Sequence, residues 1–358
     1  MDPLARPLTL GHGPAWKNRL VLAPLTNKQS HADGTLSDAE LRWLTMRAQG
    51  GVAVTMTCAA HVQANGHAFA GQLGVFDERH LEGLTRLAAA IAAAGSVSMI
   101  QLHHGGIRAD RALAGDLVGP SADGETGARA LTTGEVEQVR DDFIAAAVRA
   151  RRAGFLAAEV HGAHGYLLAQ FLSAETNRRN DSYGGTQANR ARLIEEILAG
   201  IRAACGPDFQ IGLRLSPERF GQSLPEVRDL AGQLMAGDAV DFIDLSLWDT
   251  FKAPSDPAFA DRTLLGCFTD LPRGRARIGA AGKLGSRQQA ERALAQGCDF
   301  VVVGKSAIAA HDFAARTLAD RGYGPPALPV SAERLAGEGL SPAFIDYMRT
   351  FPGFVAAG

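Results

Sequence analysis

The sequence predicts an α/β protein that folds as a single (β/α)₈ TIM barrel, with a hairpin cap at its N-terminus and extra loops. Eight short, almost continuously apolar runs alternate with longer amphipathic segments. Such runs are typical of parallel strands that helices cover on the outside, and the eightfold alternation indicates a closed barrel. An open, doubly wound sheet is the structural alternative.

Several predicted helices begin or end at a recognisable signal. Ser37 can cap one helix, Thr132 and Glu135 form a capping box at the start of another, and Gly297 follows a third. The predicted strands are Arg19–Leu25, Val52–Cys58, Ser96–Leu102, Leu156–Val160, Ile211–Leu215, Phe242–Leu245, Arg277–Gly279 and Phe300–Val303. The predicted helices are Asp38–Gln49, Asp77–Gly95, Thr132–Gly154, Gln187–Ala204, Pro225–Met235 and Ser286–Gln296.

The 358 residues are predicted to form one domain, although a chain of that length often contains two. The reason is that the candidate site residues extend from Pro24 to Lys305 and have to meet at one place. Residues 1–17 are interpreted as a cap, in which Leu8-Thr9-Leu10 starts a small hairpin that closes the bottom of the barrel. Residues 18–320 are assigned to the barrel and 321–358 to a C-terminal tail.

The composition is that of a globular protein. Hydrophobic residues make up 46% and charged residues 21% of the chain, which argues against a disordered or coiled-coil protein. The net charge of −2 gives no reason to expect nucleic acid or an anionic membrane as a partner. Small molecules are therefore the expected substrates, and the choice between monomer and homo-oligomer stays open.

No segment has the features of a membrane span or of a metal-binding cysteine cluster. The most apolar stretches are much shorter than the ~20 residues that a transmembrane helix needs. No apolar run follows a basic N-terminus, so no secretory signal is expected. The four cysteines include no Cys-x-x-Cys pair, which argues against an iron–sulfur cluster or a structural zinc site. We therefore predict a cytoplasmic protein with reduced thiols.

The strongest local signal is His161, His164 and Tyr166, which follow the fourth predicted strand. Active sites of barrels lie at the carboxyl ends of the strands. Two imidazoles three residues apart can face one side and polarise a carbonyl or nitro oxygen, each donor contributing roughly 3–4 kcal/mol in comparable sites. A phenol stays protonated near neutral pH and can act as a general acid.

Two other interpretations of the histidines stay open. The first is a loop whose hydrogen bonds are satisfied internally and which has no catalytic role. The second is a metal site in which His161 and His164 are ligands, completed in space by His61, His103 or His104. A metal-dependent hydrolase or lyase would use such a site.

Other strand ends carry residues suited to a heterocycle with a phosphate. The amide of Gln101 can donate and accept at a pyrimidine-like edge, and Arg214 suits a ring that gains negative charge, unless it forms a structural ion pair. The pairs Gly282-Lys283 and Gly304-Lys305 offer backbone N–H groups and cations for a phosphate. The alternative is that these glycines only end strands and that Lys305 is solvated.

These residues lie in stretches that resemble the Old Yellow Enzyme family of FMN-dependent ene-reductases. The resemblance covers about residues 18–310, and its most specific part runs from the fourth strand to Gly185. The stretches are Asn18–Thr26 (NRLVLAPLT), Gln101–His104 (QLHH), Glu159–Ser173 (EVHGAHGYLLAQFLS) and Asn177–Gly185 (NRRNDSYGG).

The resemblance implies a non-covalent FMN on top of the barrel, with NAD(P)H as co-substrate. It implies flavin contacts from Pro24, Leu25, Thr26, Ala59, Gln101 and Arg214, and phosphate contacts from Gly282, Lys283, Gly304 and Lys305. His161 and His164 would bind the electron-withdrawing oxygen of the substrate, and Tyr166 would donate the proton. Trp248 is a candidate pocket wall, as is Phe251, unless either packs into the outer shell.

The expected reaction is reduction of the activated C=C bond of α,β-unsaturated carbonyl or nitro compounds in a ping-pong cycle. A related FMN barrel enzyme that acts as an amine or substrate dehydrogenase, or as an NADH oxidase, is the alternative. The sequence departs from the family pattern at Lys305, where Arg is usual, at Ala281, where Gly is usual, and at His103, where an aromatic residue is usual. Thr26, in place of Cys, is typical of the classical branch.

Overall fold

The computed structural model, which describes residues 2–357, is a closed barrel of eight parallel strands. This confirms the predicted (β/α)₈ fold. The strands are β1 (Leu20–Leu22), β2 (Val54–His61), β3 (Val97–His103), β4 (Ala157–Gly162), β5 (Gln210–Leu215), β6 (Phe242–Ser246), β7 (Arg277–Ala281) and β8 (Phe300–Val303). Each strand pairs with the next along the chain, and β8 pairs with β1, Leu20 lying opposite Val301.

The eight predicted strands exist, but the bounds of the first two were wrong. The first strand ends at Leu22 rather than Leu25, because Pro24 has no N–H with which to continue the ladder. The second begins at Val54 and continues to His61, past an irregularity in its pairing with β3 between Met56 and Ala59. Ala59 and Ala60 continue the apolar run after Cys58, so the predicted strand was too short at this end.

The helices that cover the barrel agree with the predicted ones, including the capping box of Thr132 and Glu135. One bound was wrong: Asp77 caps a 3₁₀ turn at Glu78–His80, and the α-helix begins only after it. The α-helices are α1 (Asp38–Gln49), α2 (Leu81–Ala93), α3 (Arg111–Ala114), α4 (Thr133–Arg152), α5 (Leu167–Leu172), α6 (Gln187–Cys205), α7 (Leu224–Ala236), α8 (Gly266–Thr269), α9 (Arg287–Ala295), α10 (Lys305–Ala309), α11 (Phe313–Ala319), α12 (Ala332–Gly337) and α13 (Pro342–Arg349).

Shorter elements lie in the loops. Two-residue strands at Val118–Gly119 and Arg129–Ala130 pair with each other outside the barrel. Further 3₁₀ turns span Ala64–Gly66, Gly106–Arg108 and Pro257–Phe259. Among residues 2–357, no helix combines the length and the apolar character that crossing a membrane requires.

Trp16 fills the bottom of the barrel. Leu8 and Trp16 exchange backbone hydrogen bonds of 2.9 and 2.8 Å, so the N-terminal segment folds back on itself as a small hairpin. The fully buried indole packs edge-on against Phe242 and Phe300, with ring centroids 5.6 and 4.9 Å away. Its Nε1–H donates to Gln210 at 2.9 Å, so the polar atom of the ring is also satisfied.

Two strand glycines make room for those phenylalanine rings. A Cβ at Gly212 would lie 2.0 Å from the ring of Phe242, and a Cβ at Gly279 would lie 2.0 Å from the ring of Phe300. Both distances are far below van der Waals contact. The glycines therefore allow large aromatic residues in neighbouring strands to point into the barrel.

The C-terminal helices α12 and α13 pack against α1. Trp43 of α1 meets Phe344 edge-on at 5.3 Å, and both are fully buried. The buried Arg47 guanidinium donates to the carbonyls of Ala307 and Glu338 at 3.1 and 2.6 Å. These contacts hold the tail against the barrel wall and bring α13 to its upper rim.

Replacing Trp16 by alanine should destabilise the protein by about 3–5 kcal/mol, because the cavity left at the barrel bottom is lined by rings that cannot collapse into it. The matched control is Trp248→Ala, whose side chain is 71% exposed and whose loss should change stability by about 0.5 kcal/mol or less. Denaturant unfolding of the two variants makes the comparison. Equal stability losses would contradict the role assigned to Trp16.

Candidate active site at the barrel mouth

His161 and His164 lie side by side above the end of β4. The Ala163 N–H lies 3.4 Å from His161 Nδ1, so that nitrogen accepts and the ring hydrogen is on Nε2. His161 Nε2 lies 3.1 Å from His164 Nδ1, and His164 Nε2 lies 2.7 Å from Ser246 Oγ. The contacts thus describe a chain of hydrogen bonds from backbone to imidazole to imidazole to hydroxyl.

The structure brings the two imidazoles together but directs the His161 N–H at its neighbour. We expected both donors to point at one external oxygen. A substrate oxygen has to compete with His164 Nδ1 for that hydrogen, which a small rotation of the His164 ring would allow.

Both imidazoles are neutral at physiological pH. Burial and the cations Arg214 and Arg108 together lower the pKa of His164 to about 3, and burial is the largest cause. Burial also holds the pKa of His161 well below its usual range, with His164 and Arg214 contributing. The pair can therefore act as neutral hydrogen-bond donors and does not carry a fixed positive charge.

Tyr166 lies beside this pair with its hydroxyl unengaged. Its ring packs edge-on against His103 at 4.4 Å and against His161 at 5.3 Å between centroids, and the Arg108 guanidinium lies 4.9 Å from the ring. Within residues 2–357 its hydroxyl makes no hydrogen bond. A half-buried phenol held by its ring and free at its oxygen suits proton donation.

A buried polar cluster lies beneath these residues. Gln101 Nε2 donates to Glu159 Oε1 at 2.6 Å, and Arg214 Nη1 lies 3.3 Å from Asp244 Oδ2. Arg214 thus forms the ion pair that was one alternative for it. Sequence reasoning missed Glu159 and Asp244, although a carboxylate inside an otherwise apolar strand was the signal that could have found them.

The ends of β7 and β8 lie side by side and present the predicted glycines. Gly282 has a φ of +146°, and a Cβ there would lie 3.0 Å from the backbone of Trp248. Gly304 precedes the short helix α10. The two cations differ: Lys283 Nζ lies 2.9 Å from Asp249, whereas Lys305 is exposed and makes no salt bridge within residues 2–357.

One wall of the mouth comes from the segment after β1 and the C-terminal helix. Pro24, Leu25 and Thr26 are half-buried there. Tyr347 of α13 lies near Thr26, and Lys28 Nζ lies 5.0 Å from the centroid of the Tyr347 ring. Sequence reasoning gave the tail no role, so Tyr347 was missed; a contact so distant in sequence leaves no local signal.

The remaining predicted residues are Ala59, Trp248 and Phe251. Ala59 on β2 lies opposite Gln101 in the strand register, on the barrel rim. Trp248 lines the same depression as His164, and the Arg219 guanidinium lies 4.6 Å from its ring. Phe251 packs against the outer core beneath Arg292, which was the alternative for it.

The histidines fall into two separate groups. His61 stacks on His67 at 4.5 Å, whereas His103 meets His161 and Tyr166 on the other side of the mouth. Among residues 2–357, no three His, Cys, Asp or Glu side chains are arranged to hold a metal ion. The metal-dependent alternative therefore has no ligand set in the described part of the chain.

Residues 3–321 match the model of the NADH:flavin oxidoreductase / NADH oxidase family. The chain belongs to this family. It is therefore an NAD(P)H:flavin oxidoreductase of the Old Yellow Enzyme type, with FMN as the family's cofactor. A relative from Bacillus subtilis, described as a probable NADH-dependent flavin oxidoreductase, YqiG, is 34% identical over 316 residues, which are 85% of this chain and 84% of the relative.

Two solved structures of this family share the fold over almost their whole length. The Old Yellow Enzyme homologue from Zymomonas mobilis is 25% identical with a TM-score of 0.77, over 93% of this chain and 96% of that one. Morphinone reductase in complex with tetrahydroNAD is 26% identical with a TM-score of 0.78, over 94% of each chain.

The His164 ring should stay neutral and keep one tautomer between about pH 5 and 8, where an ordinary histidine titrates. The physical reason is that its folded pKa of about 3 lies below that window, so protonation begins only in stronger acid. Imidazole ¹⁵N NMR measures this, and His164→Asn identifies the signal. A titration midpoint near ~6.5 would contradict the assignment.

Proposed function

We propose that this oxidoreductase is an FMN-dependent ene-reductase that uses NAD(P)H to reduce the activated C=C bond of α,β-unsaturated carbonyl or nitro compounds. The observation that carries the proposal is the arrangement of two neutral, hydrogen-bonded imidazoles beside a phenol whose hydroxyl is free. Donors for an oxygen and a proton for a neighbouring carbon are what such a substrate requires.

The residues of the rim fit an FMN. Arg214 Nε is buried and has no protein partner within residues 2–357. Gln101 is almost fully buried and donates its Nε2 to Glu159, which keeps its Oε1 for another partner. Unused buried polar groups need a partner. The pyrimidine edge of a flavin offers a donor and acceptors to them, and Gly282, Gly304 and Lys305 would hold its phosphate.

Bound FMN supplies hydride transfer, from the nicotinamide to the flavin and from the flavin to the substrate carbon. The protein residues do the rest. His161 and His164 hold and polarise the carbonyl or nitro oxygen, which makes the β-carbon electron-poor. Tyr166 gives its hydroxyl proton to the α-carbon. Arg214 places a cation at the edge where the ring becomes electron-rich, and the buried mouth strengthens that attraction.

The direct test follows the colour of the purified protein without oxygen. Protein reconstituted with FMN should be yellow, lose its absorbance with NADH or NADPH, and regain it when cyclohex-2-enone is added. A protein that takes up no FMN would remove the cofactor assignment. A flavin that the nicotinamide reduces but the enone does not reoxidise would remove the ene-reductase assignment and favour the dehydrogenase alternative.

Tyr166→Phe should slow reoxidation by the enone roughly 10²–10⁴-fold, because protonation of the α-carbon needs a proton donor. Reduction by the nicotinamide needs no such donor and should stay nearly unchanged. Stopped-flow absorbance measures the two half-reactions separately. The matched control is Tyr183→Phe, whose hydroxyl donates to Glu196 far from the mouth. Equal slowing of both half-reactions by Tyr166→Phe would argue against the phenol as proton donor.

Lys305→Ala should weaken FMN binding by roughly 10–100-fold, the effect of losing a charge-assisted contact. Riboflavin, which has no phosphate, should bind both proteins equally. Lys283→Ala should have a smaller effect on FMN, because Asp249 already pairs with that cation. Fluorescence quenching measures the affinity of the wild type and both variants for FMN, and of the wild type and Lys305→Ala for riboflavin. Equal losses for FMN and riboflavin would place Lys305 away from the phosphate.

A further inference from the structure

Four side chains from neighbouring strands form a closed polar cluster beneath the mouth. They are Gln101 on β3, Glu159 on β4, Arg214 on β5 and Asp244 on β6, and none is more than 5% exposed. Water therefore cannot satisfy their polar atoms, and the charges must be balanced within the cluster.

The two carboxyl groups have too few partners to be ionised together. Glu159 Oε2 and both oxygens of Asp244 accept no hydrogen bond from an N–H or hydroxyl donor within residues 2–357. In the same part of the chain, Arg214 is the one cation within salt-bridge distance of either, at 3.3 Å from Asp244. Two buried carboxylates beside one cation retain one proton between them.

The proton belongs on Glu159. Burial raises the pKa of both carboxyl groups, but Arg214 contacts Asp244 directly and favours its ionised form. The nearby Asp244 charge adds to the effect of burial on Glu159 and raises the pKa of Glu159 to about 8. The remaining neighbours add no charge. His161 is neutral, and burial raises the pKa of the Cys298 thiol, beyond Asp244, to about 12.

We propose that Glu159 works as a protonated acid that orients Gln101: its Oε1 accepts from the Gln101 amide while its Oε2–H donates to Asp244. The Gln101 NH₂ group must then face Glu159, which leaves its Oε1 to accept a hydrogen bond at the mouth. Glu159 is thus a positioning residue. The inference rests on the proposed function, because the group that Gln101 meets is the N–H of the flavin pyrimidine edge.

The proton also sets how the bound flavin responds to pH. Below the pKa of Glu159 the cluster is neutral, since Asp244 balances Arg214. Above that pKa the cluster carries one net negative charge near a ring that becomes electron-rich on reduction, so reduction becomes harder. The flavin midpoint potential should therefore fall more steeply with pH above about 8 than below it.

Two substitutions test whether Glu159 is a protonated acid or an ionised carboxylate. Glu159→Gln copies the neutral acid, because the new amide accepts on one atom and donates on the other. It should keep the FMN affinity of the wild type at pH 7 within about twofold, with no steepening of the potential near pH 8. Glu159→Leu removes both hydrogen bonds and should weaken FMN at least about tenfold. Glu40→Gln, another fully buried glutamate away from the cluster, is the control and should retain the steepening.

Infrared spectroscopy of the wild-type protein tests the protonation without FMN or a variant. At pH 7 a carboxylic acid C=O band should be present and should shift in D₂O, and Glu159→Gln should remove it while Glu40→Gln leaves it. A wild-type spectrum without such a band overturns the proposal. So does an affinity loss in Glu159→Gln as large as that in Glu159→Leu. If the wild type itself did not bind FMN, the proposed function would be overturned instead, since every protein in the series would then fail to bind FMN.

Discussion

Closure of the barrel by the pairing of β1 with β8 is the constraint on which the site depends. It places the carboxyl ends of all eight strands on one rim, so residues separated by most of the chain become neighbours. Trp16 and the two inward phenylalanines fill the opposite end, with glycines that leave space for the rings. A packed base lets the upper layer of the barrel carry charged and polar side chains.

The upper layer can bury charged and polar side chains because its charges are balanced internally and its imidazoles are neutral. Arg214 is opposed by Asp244, and Glu159 links this pair to Gln101. His161, which lies opposite Arg214 in the strand register, and the neighbouring His164 are held neutral by burial and by the positive charges around them. The mouth thus combines neutral donors with Arg214, a cation whose partner is already in place. This combination suits the proposed uncharged, electron-poor substrate over a ring that becomes electron-rich.

The fold and much of the site could be predicted because their signals are local. Apolar runs mark the strands, and the residue after each run lies on the rim whatever the detailed register. The first strand is shorter than predicted, because Pro24 has no N–H with which to continue the ladder. The link from Glu159 to Asp244 depends on the neighbours that two strands acquire in the barrel. Tyr347 reaches Thr26 only because α13 packs on α1, and no sequence spacing encodes that contact.

The most direct measurement follows deuterium from nicotinamide and solvent into the product of cyclohex-2-enone. With saturating enone and a nicotinamide carrying deuterium at its transferable C4 position, the label should appear on the β-carbon of cyclohexanone. In D₂O with unlabelled nicotinamide, it should appear on the α-carbon, which receives the Tyr166 proton. Nicotinamide label on the α-carbon, or no saturated product, would contradict the assignment of hydride and proton to opposite ends of the double bond.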